Sequence, residues 1–378
     1  MAWSKNGSNG SRSHKCKSLP ALLNYTQRYM QANNFNRALK NSSFRLFSHL
    51  LLWLMAVPII AGCEPADSVR LVNLGGTATP NTPGEEIWLT FKQRAETASG
   101  GRMELRPLIY GQLGSEEQIL SGLRRGRIQF ANLSAQVTST MVPELSLLYA
   151  PYLFATEAEA DFIYDNYLTD IFRNLLAAKN LHLLTWYEIG FQSIYAKEPI
   201  ILPADAAGRR FRVSNSLNAR LFAESIRADV IPLGFGEIVS GLQTGLIEAG
   251  ENSVSLYART GIADEAPHFT QTRHVFGMSV IVTDKLWWDD LPPDERRILA
   301  ESFPSVQDSR RATRAQDLLD LEDLELGIQV HPLTPAQRVE WQHATAGVTD
   351  SLLEIIGGRS REIYELIARG KAEYSRTQ

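Results

Sequence analysis

The chain of 378 residues predicts an α/β protein of two similar-sized lobes joined by crossing strands. Three observations carry this prediction. Short apolar segments alternate with amphipathic helical ones from residue 69 onward. The alternation occurs twice, before and after Thr156. The composition is globular, at 44% hydrophobic, 21% charged and 9% aromatic residues, which excludes a disordered, collagenous or polytopic membrane protein.

Residues 69–74 form an apolar-rich strand closed by Gly75-Gly76. In 87–98, Ile87, Trp88, Phe91 and Ala95 recur at helical spacing, and Gly100-Gly101 stops the helix. Residues 103–110 alternate as a strand, with Pro107 pointing to an edge or a bulge. A helix over 115–125 opens on Ser115, whose hydroxyl suits an N-cap. A strand at 128–133 completes the strand–helix–strand–helix–strand order of a parallel sheet. Helical periodicity then covers 157–179, followed by a strand at 181–187. Further strands fall at 210–213 and 230–232, and helices at 215–226 and 237–244. Two strands, 270–276 and 277–283, lead into a mostly helical C-terminal region with one strand at 328–331. The helical stretch 294–327 has two open roles, a brace across both lobes or a dimer interface.

The formal net charge of -4 hides a seam. Residues 1–62 carry eight bases (Lys5, Arg12, Lys15, Lys17, Arg28, Arg37, Lys40, Arg45) and no acid. The rest holds 30 of the 38 bases against all 42 acids, a net of -12. The apolar run 50–60 contains Pro58 and is shorter than the ~20 residues that span a bilayer. A basic flank, a short apolar core and small residues at its end match a secretory signal. Ile60-Ala61-Gly62-Cys63 resembles a bacterial lipobox, in which the Cys is acylated before cleavage. Plain secretion, or a buried helix followed by an ordinary Cys, are the alternatives. Translation from Met30 instead of Met1 would leave Arg37, Lys40 and Arg45 as the basic flank. With cleavage before Cys63, Cys16 is discarded and Cys63 is lipidated. The mature chain of 316 residues then has no thiol for a disulfide, a nucleophile or a zinc site, and is long enough to bury a core.

The usual catalytic motifs are missing. There is no Walker motif, HExxH, GxSxG or Rossmann GxGxxG, and the glycines of 234–241 have the wrong last spacing. His182, His268, His274, His331 and His343 are scattered, so no metal or cofactor is expected. Asp289-Asp290 and Asp294-Glu295 surround Pro292-Pro293 and mark a turn and a helix start, where acids suit the dipole.

Four segments resemble the solute-binding subunits of tripartite ATP-independent periplasmic (TRAP) transporters, the DctP type. The first is Gly111-Gln-Leu-Gly114, followed by an acidic helix and Gly126-Arg-Ile-Gln129. The second is Ala150-Pro-Tyr-Leu-Phe154. The third is the stretch from Pro203-Ala-Asp to Arg212-Val213, similar to that family's "pADlkGlkiRv". The fourth runs from Phe235-Gly-Glu to Gly250-Glu-Asn252, similar to "FsEvyxALQtGxvDGqEN". They occur in family order between about residues 69 and 300.

The resemblance implies a type II periplasmic-binding-protein fold of the Venus-flytrap kind, with hinge strands and a helical C-terminal region. The division it implies is a signal peptide with an N-terminal extension at 1–62 and a lipidated linker at 63–68. The first lobe takes 69–189 plus 278–317, and the second 190–277 plus 318–378. It implies capture rather than catalysis: a small carboxylate held between lobes and delivered to integral membrane subunits, on a lipid anchor in the periplasm and with no nucleic-acid partner. A lipoprotein receptor not coupled to transport and an extracytoplasmic enzyme are the alternatives.

Arg212 matches the residue that clamps the substrate carboxylate in the family. A guanidinium fits a carboxylate with a fixed fork of donors, which Lys lacks. A solvated basic edge is the competing reading of Arg209-Arg210-Phe211-Arg212. Asn252 matches a second carboxylate contact. Asn215 matches a ligand-facing position and also suits a helix N-cap. Phe235 matches an aromatic that closes over the ligand, or packs in the core. Trp186 matches a pocket Trp, and Asn73 and Asn132 follow first-lobe strands that face the ligand's other end. Gln192 stands where the family often has Arg, which favours a monocarboxylate, or an acid whose far end is hydroxylated or apolar, over a dicarboxylate.

Overall fold

The structure, a computed structural model, describes residues 69–378. Cys63, Cys16 and the signal segment lie outside the described residues. No described helix is long and apolar enough to cross a membrane.

Among the described residues nine strands form one mixed sheet. They are β1 (Arg70–Gly75), β2 (Met103–Leu108), β3 (Phe130–Ser134), β4 (Leu181–Ala196), β5 (Arg210–Val213), β6 (Asp229–Pro232), β7 (Ala249–Ser253), β8 (His268–Asp284) and β9 (Gln329–Pro332). Their order is β2-β1-β3-β8-β4-β7-β5-β6, with β9 added on β8. Pairing is parallel within β2-β1-β3 and within β7-β5-β6. It is antiparallel where β3, β4, β7 and β8 meet. The two parallel pieces are the expected pair of α/β units, and the antiparallel strands join them. Pro107 lies on β2, the edge strand, where its missing N–H costs no ladder bond.

The joining strands differ from expectation. The strand expected at 181–187 runs on to Ala196, and the two expected at 270–276 and 277–283 are one strand of 17 residues. From Phe191 to Ala196 every residue of β4 is buried, so the polar/apolar alternation that marks a half-exposed strand is missing there. Strand β7, five consecutive buried residues, was likewise not anticipated.

The β4–β8 register slips at three places, including Glu188/Gly190 and Gln192/Ile194. At the middle slip Gly190 pairs with Gly277 and has φ +93°. A Cβ there would stand 2.7 Å from Asp317 Oδ2, so the backbone shape and the close approach both demand glycine.

The helix Val306–Gly327 braces both halves. Toward its start, Arg310 bonds Asp165, and Arg314 bonds Asp161 and the buried Glu188 at 2.6–3.0 Å. Toward its end, Asp317 accepts from the Ser255 hydroxyl at 2.5 Å and Asp320 holds Arg259 at 2.6–2.9 Å. The C-terminal helices pack on both expected lobes, since Leu217 and Leu221 of the second also lie against their cluster. Residues 348–378, assigned to the second lobe by sequence, bury Val348, Leu352, Ile363 and Ile367 in one cluster with Leu145, Leu148, Ile163 and Tyr164. Gly370 lets Ser360–Thr377 lie close on Ile163 and Tyr167, and Tyr167 donates to Glu373.

Candidate functional site

A cleft of about 1200 Å³ opens between the two parallel pieces of the sheet. Its walls are the strand ends and the turns that follow them, where open α/β sheets bind ligands.

One wall comes from β5, β7 and the second half of β4. Phe211 and Val213 point into the core, and Arg212 takes the other face, 7% exposed. Its Nε donates to the Leu233 carbonyl at 2.9 Å, which fixes the side chain. Arg212 has no salt-bridge partner among the described residues. Arg210 does not share its role: it is exposed, bonds Gly245 O at 2.9 Å and pairs with Glu248. The solvated-edge reading therefore fits Arg210 and not Arg212. A guanidinium this buried and unpaired is costly unless an anion meets it. Beside it, Asn252 is 5% exposed. Its Oδ1 accepts from Ser253 N at 3.2 Å, and its Nδ2 is buried without a partner. Gln192 and Ser253 face each other across β4 and β7 and also line the cleft; Ser253 Oγ is buried and unpartnered.

The opposite wall comes from β3 and the short helix Ala135–Thr138 after it. Asn132 and Gln136 line it, and Asn132 Oδ1 and Gln136 Nε2 are buried with no hydrogen-bond partner among the described residues. Ser134 fixes this wall: it caps the helix by accepting from Val137 N at 3.2 Å, and its N and Oγ donate to Glu116 at 2.8 and 2.7 Å. Burial pushes the Glu116 carboxyl up, against the pull of those two bonds. Ser115 starts the helix Glu116–Arg124, with Gln118 accepting from the Ser115 N–H at 2.8 Å.

Asn215 lines the cleft, and Ser216, not Asn215, is the N-cap residue of the helix Leu217–Ser225. Phe235 is half-buried; it lines the cleft and also packs on the cluster around Ile238 and Leu242.

Two expected residues are elsewhere. Trp186 is 3% exposed and packs edge-on against Tyr164 and Phe172, with its indole N–H donating to Thr169 at 3.1 Å. Its neighbour Tyr187 lines the cleft instead, because successive side chains of a strand take opposite faces. Asn73 is absorbed in structure: its N–H donates to Gln129 Oε1 at 2.8 Å and its amide to Arg127 O at 3.0 Å, tying β1 to the turn before β3.

Gln136, Ser253, Glu116 and Glu251 were missed. Glu251 lines the cleft at 4% exposure and accepts from the fully buried His274 at 2.7 Å. His274 Nδ1 lies 2.8 Å from Thr272 Oγ1, and its ring stacks on Phe222 at 4.1 Å. Both ring nitrogens are thus used in structure. Among the described residues no group of three or more His, Cys, Asp or Glu is arranged to hold a metal ion.

Two α/β halves, long joining strands and a cleft with unpartnered polar groups on both walls define a ligand-capture protein of the two-lobed periplasmic-binding type. The family described as bacterial extracellular solute-binding protein, family 7 (DctP), matches residues 74–354, and the chain belongs to it. Its members are periplasmic receptors rather than enzymes. A solute-binding protein of Chromohalobacter salexigens is 26% identical over 278 residues, 73% of this chain and 82% of its own. The C4-dicarboxylate-binding periplasmic protein DctP of Vibrio cholerae is 26% identical over 299 residues, 79% of this chain and 90% of its own. Among solved structures, a TRAP periplasmic solute-binding protein from Roseobacter denitrificans with bound β-D-glucuronate superposes with a TM-score of 0.75 at 22% identity. It covers 79% of this chain and 99% of its own, which supports the fold.

Proposed function

We propose that this receptor captures a small organic acid by its carboxylate, between Arg212 and Asn252, and delivers it to the integral membrane subunits of a TRAP-type secondary transporter. The observation that carries this is the buried guanidinium of Arg212, without a salt-bridge partner among the described residues, beside the unpartnered Asn252 amide. Two carboxylate oxygens supply acceptors for both. The named relatives agree: the Vibrio protein is named for dicarboxylates and the Roseobacter structure holds a uronate. Gln192, Asn215 and Phe235 line the ligand's flank, and Asn132 meets its far end.

In this reading the halves close about Gly190 and Gly277 and exclude water from the carboxylate, which strengthens its bond to Arg212. A lipid on Cys63 holds the receptor at a membrane. A single acyl chain anchors only marginally, so several are required. Cys63→Ser is expected to move the protein from the membrane to the soluble fraction; unchanged membrane association would remove the anchor from the account.

The test of function is a thermal-shift screen of organic acids, since a ligand that binds only the folded state raises the melting temperature. A carboxylic acid is expected to raise it, and its methyl ester to fail. An ester that works as well as its acid would contradict the carboxylate clamp.

A further inference from the structure

The helix Val306–Gly327 carries two stripes, and the fold uses one of them. On the inner stripe Arg310, Arg314, Asp317 and Asp320 hold the two halves, and Thr313 and Gln316 reach the cleft. Turned away from these, Arg311, Ala315, Leu318, Glu322 and Glu325 are all exposed. They recur at spacings of four, three, four and three residues, the pattern that sets a seam along a helix for a second helix to pack on. Leu318 is 66% exposed and Leu319 57%. Beside the seam, Leu319 and Ala312 line a groove of about 430 Å³ with Leu89, which the helix Pro83–Ala98 supplies.

We propose that this seam receives a second copy of the chain, the two Val306–Gly327 helices packing antiparallel about a two-fold axis at Leu318. The pairing goes beyond solute capture and does not depend on which acid the cleft holds.

Charge selects the occupant. Arg311, the base of the seam, lies two turns before Leu318, and the acids Glu322 and Glu325 lie one and two turns after it. A two-fold axis sets each position opposite one equally far beyond the axis in the other copy. Arg311 then stands about 10 Å from the axis at 1.5 Å per residue, opposite Glu325 of the second copy and one turn from Glu322. Both ends of the contact gain the same pairing. These charges are available for it. Glu322 and Glu325 have no salt bridge among the described residues, and Arg311 pairs with Asp308 in an exposed contact, which is weak. A parallel partner would set Arg311 against Arg311 and acid against acid, so charge fixes the direction as well. At the centre Leu318 meets its own copy, and Leu319 and Leu89 widen the apolar contact. From Arg311 to Glu325 the seam is about 21 Å long, which places the interface at the small, concentration-dependent end of the range.

Sedimentation velocity on the full chain tests this. Dimer should accumulate between about 1 and 200 μM, as an interface of under about 1,200 Å² predicts. Leu318→Glu should weaken association at least about tenfold. Arg311→Glu alone, and Glu322→Arg with Glu325→Arg, should each stay monomeric where the parent dimerises, because like charges then face each other. An equimolar mixture of these two charge variants should associate again, since a mixed pair restores opposite charges at both ends. That recovery also shows that both variants fold. A parent monomeric throughout the range, a Leu318→Glu variant that associates like the parent, or a mixture no better than its components would overturn the proposal. A monomeric parent whose membrane subunits lose hold of Leu318→Glu would assign the face to that partner and overturn it too.

Discussion

The two walls of the cleft do different work with similar materials. Both offer buried, unpartnered amide groups, Asn252 on one side and Asn132 with Gln136 on the other. Only the second-half wall adds an unpaired cation, Arg212. Affinity for an anion is therefore concentrated on one wall, and the other is left to judge the rest of the molecule. The net charge of -12 over residues 63–378 sharpens the point. Its long-range field repels an anion, so capture must depend on the local positive charge at Arg212.

The asymmetry can be broken from either side. The largest effect is expected from Arg212→Ala, which leaves the ligand carboxylate buried without its partner and should cost about 2–5 kcal/mol of binding. That is roughly 30- to 4,000-fold in Kd, measured by calorimetry with the best acid from the screen. A change of less than about threefold would remove Arg212 from the clamp. A smaller shift is expected from Gln192→Arg, which adds a cation to the cleft from β4. Dicarboxylates should gain affinity relative to monocarboxylates, and a competition assay showing no change in rank would place Gln192 outside the contact surface.

The smallest effect concerns stability. Burial pushes Asp317 up to about 6 from the ordinary 3.8, despite its bonds from Ser255. A carboxyl raised on folding is harder to ionise in the native state. Its contribution is most favourable at low pH and is lost as pH rises from about 4 through about 6. Asp317→Asn keeps an acceptor for Ser255 and removes this loss. The variant should melt about 2–4 °C above the parent at pH 7.5, with the gap shrinking toward pH 4.5. A gap that does not change with pH would contradict the assignment.

How far the sequence revealed this arrangement depended on burial. β1, β2, β3, β5 and β6 were legible because turn residues or short apolar runs bound them. β7 and the end of β4 were not, since both are buried throughout and carry polar residues such as Glu251, Asn252, Gln192 and Ser193. Those polar residues in buried strands are where the cleft is built. Arg212, Asn252, Gln192, Asn215 and Phe235 were reached through motif resemblance, and the structure brings them to one cleft. Trp186 failed by one position, and the parity of the strand would have favoured Tyr187 had its pairing been known. Asn73 failed because a strand-end Asn serves a turn as readily as a ligand. Gln136 gave no signal: it sits in a helix of four residues, too short for any periodicity.

The most direct measurement is a crystal structure of the protein with its tightest organic acid. It should show the carboxylate oxygens within hydrogen-bond distance of the Arg212 guanidinium and Asn252 Nδ2, with the rest of the ligand directed at Asn132 and Gln136. A carboxylate seated on the β3 wall, with Arg212 and Asn252 facing a neutral part of the ligand, would contradict the account.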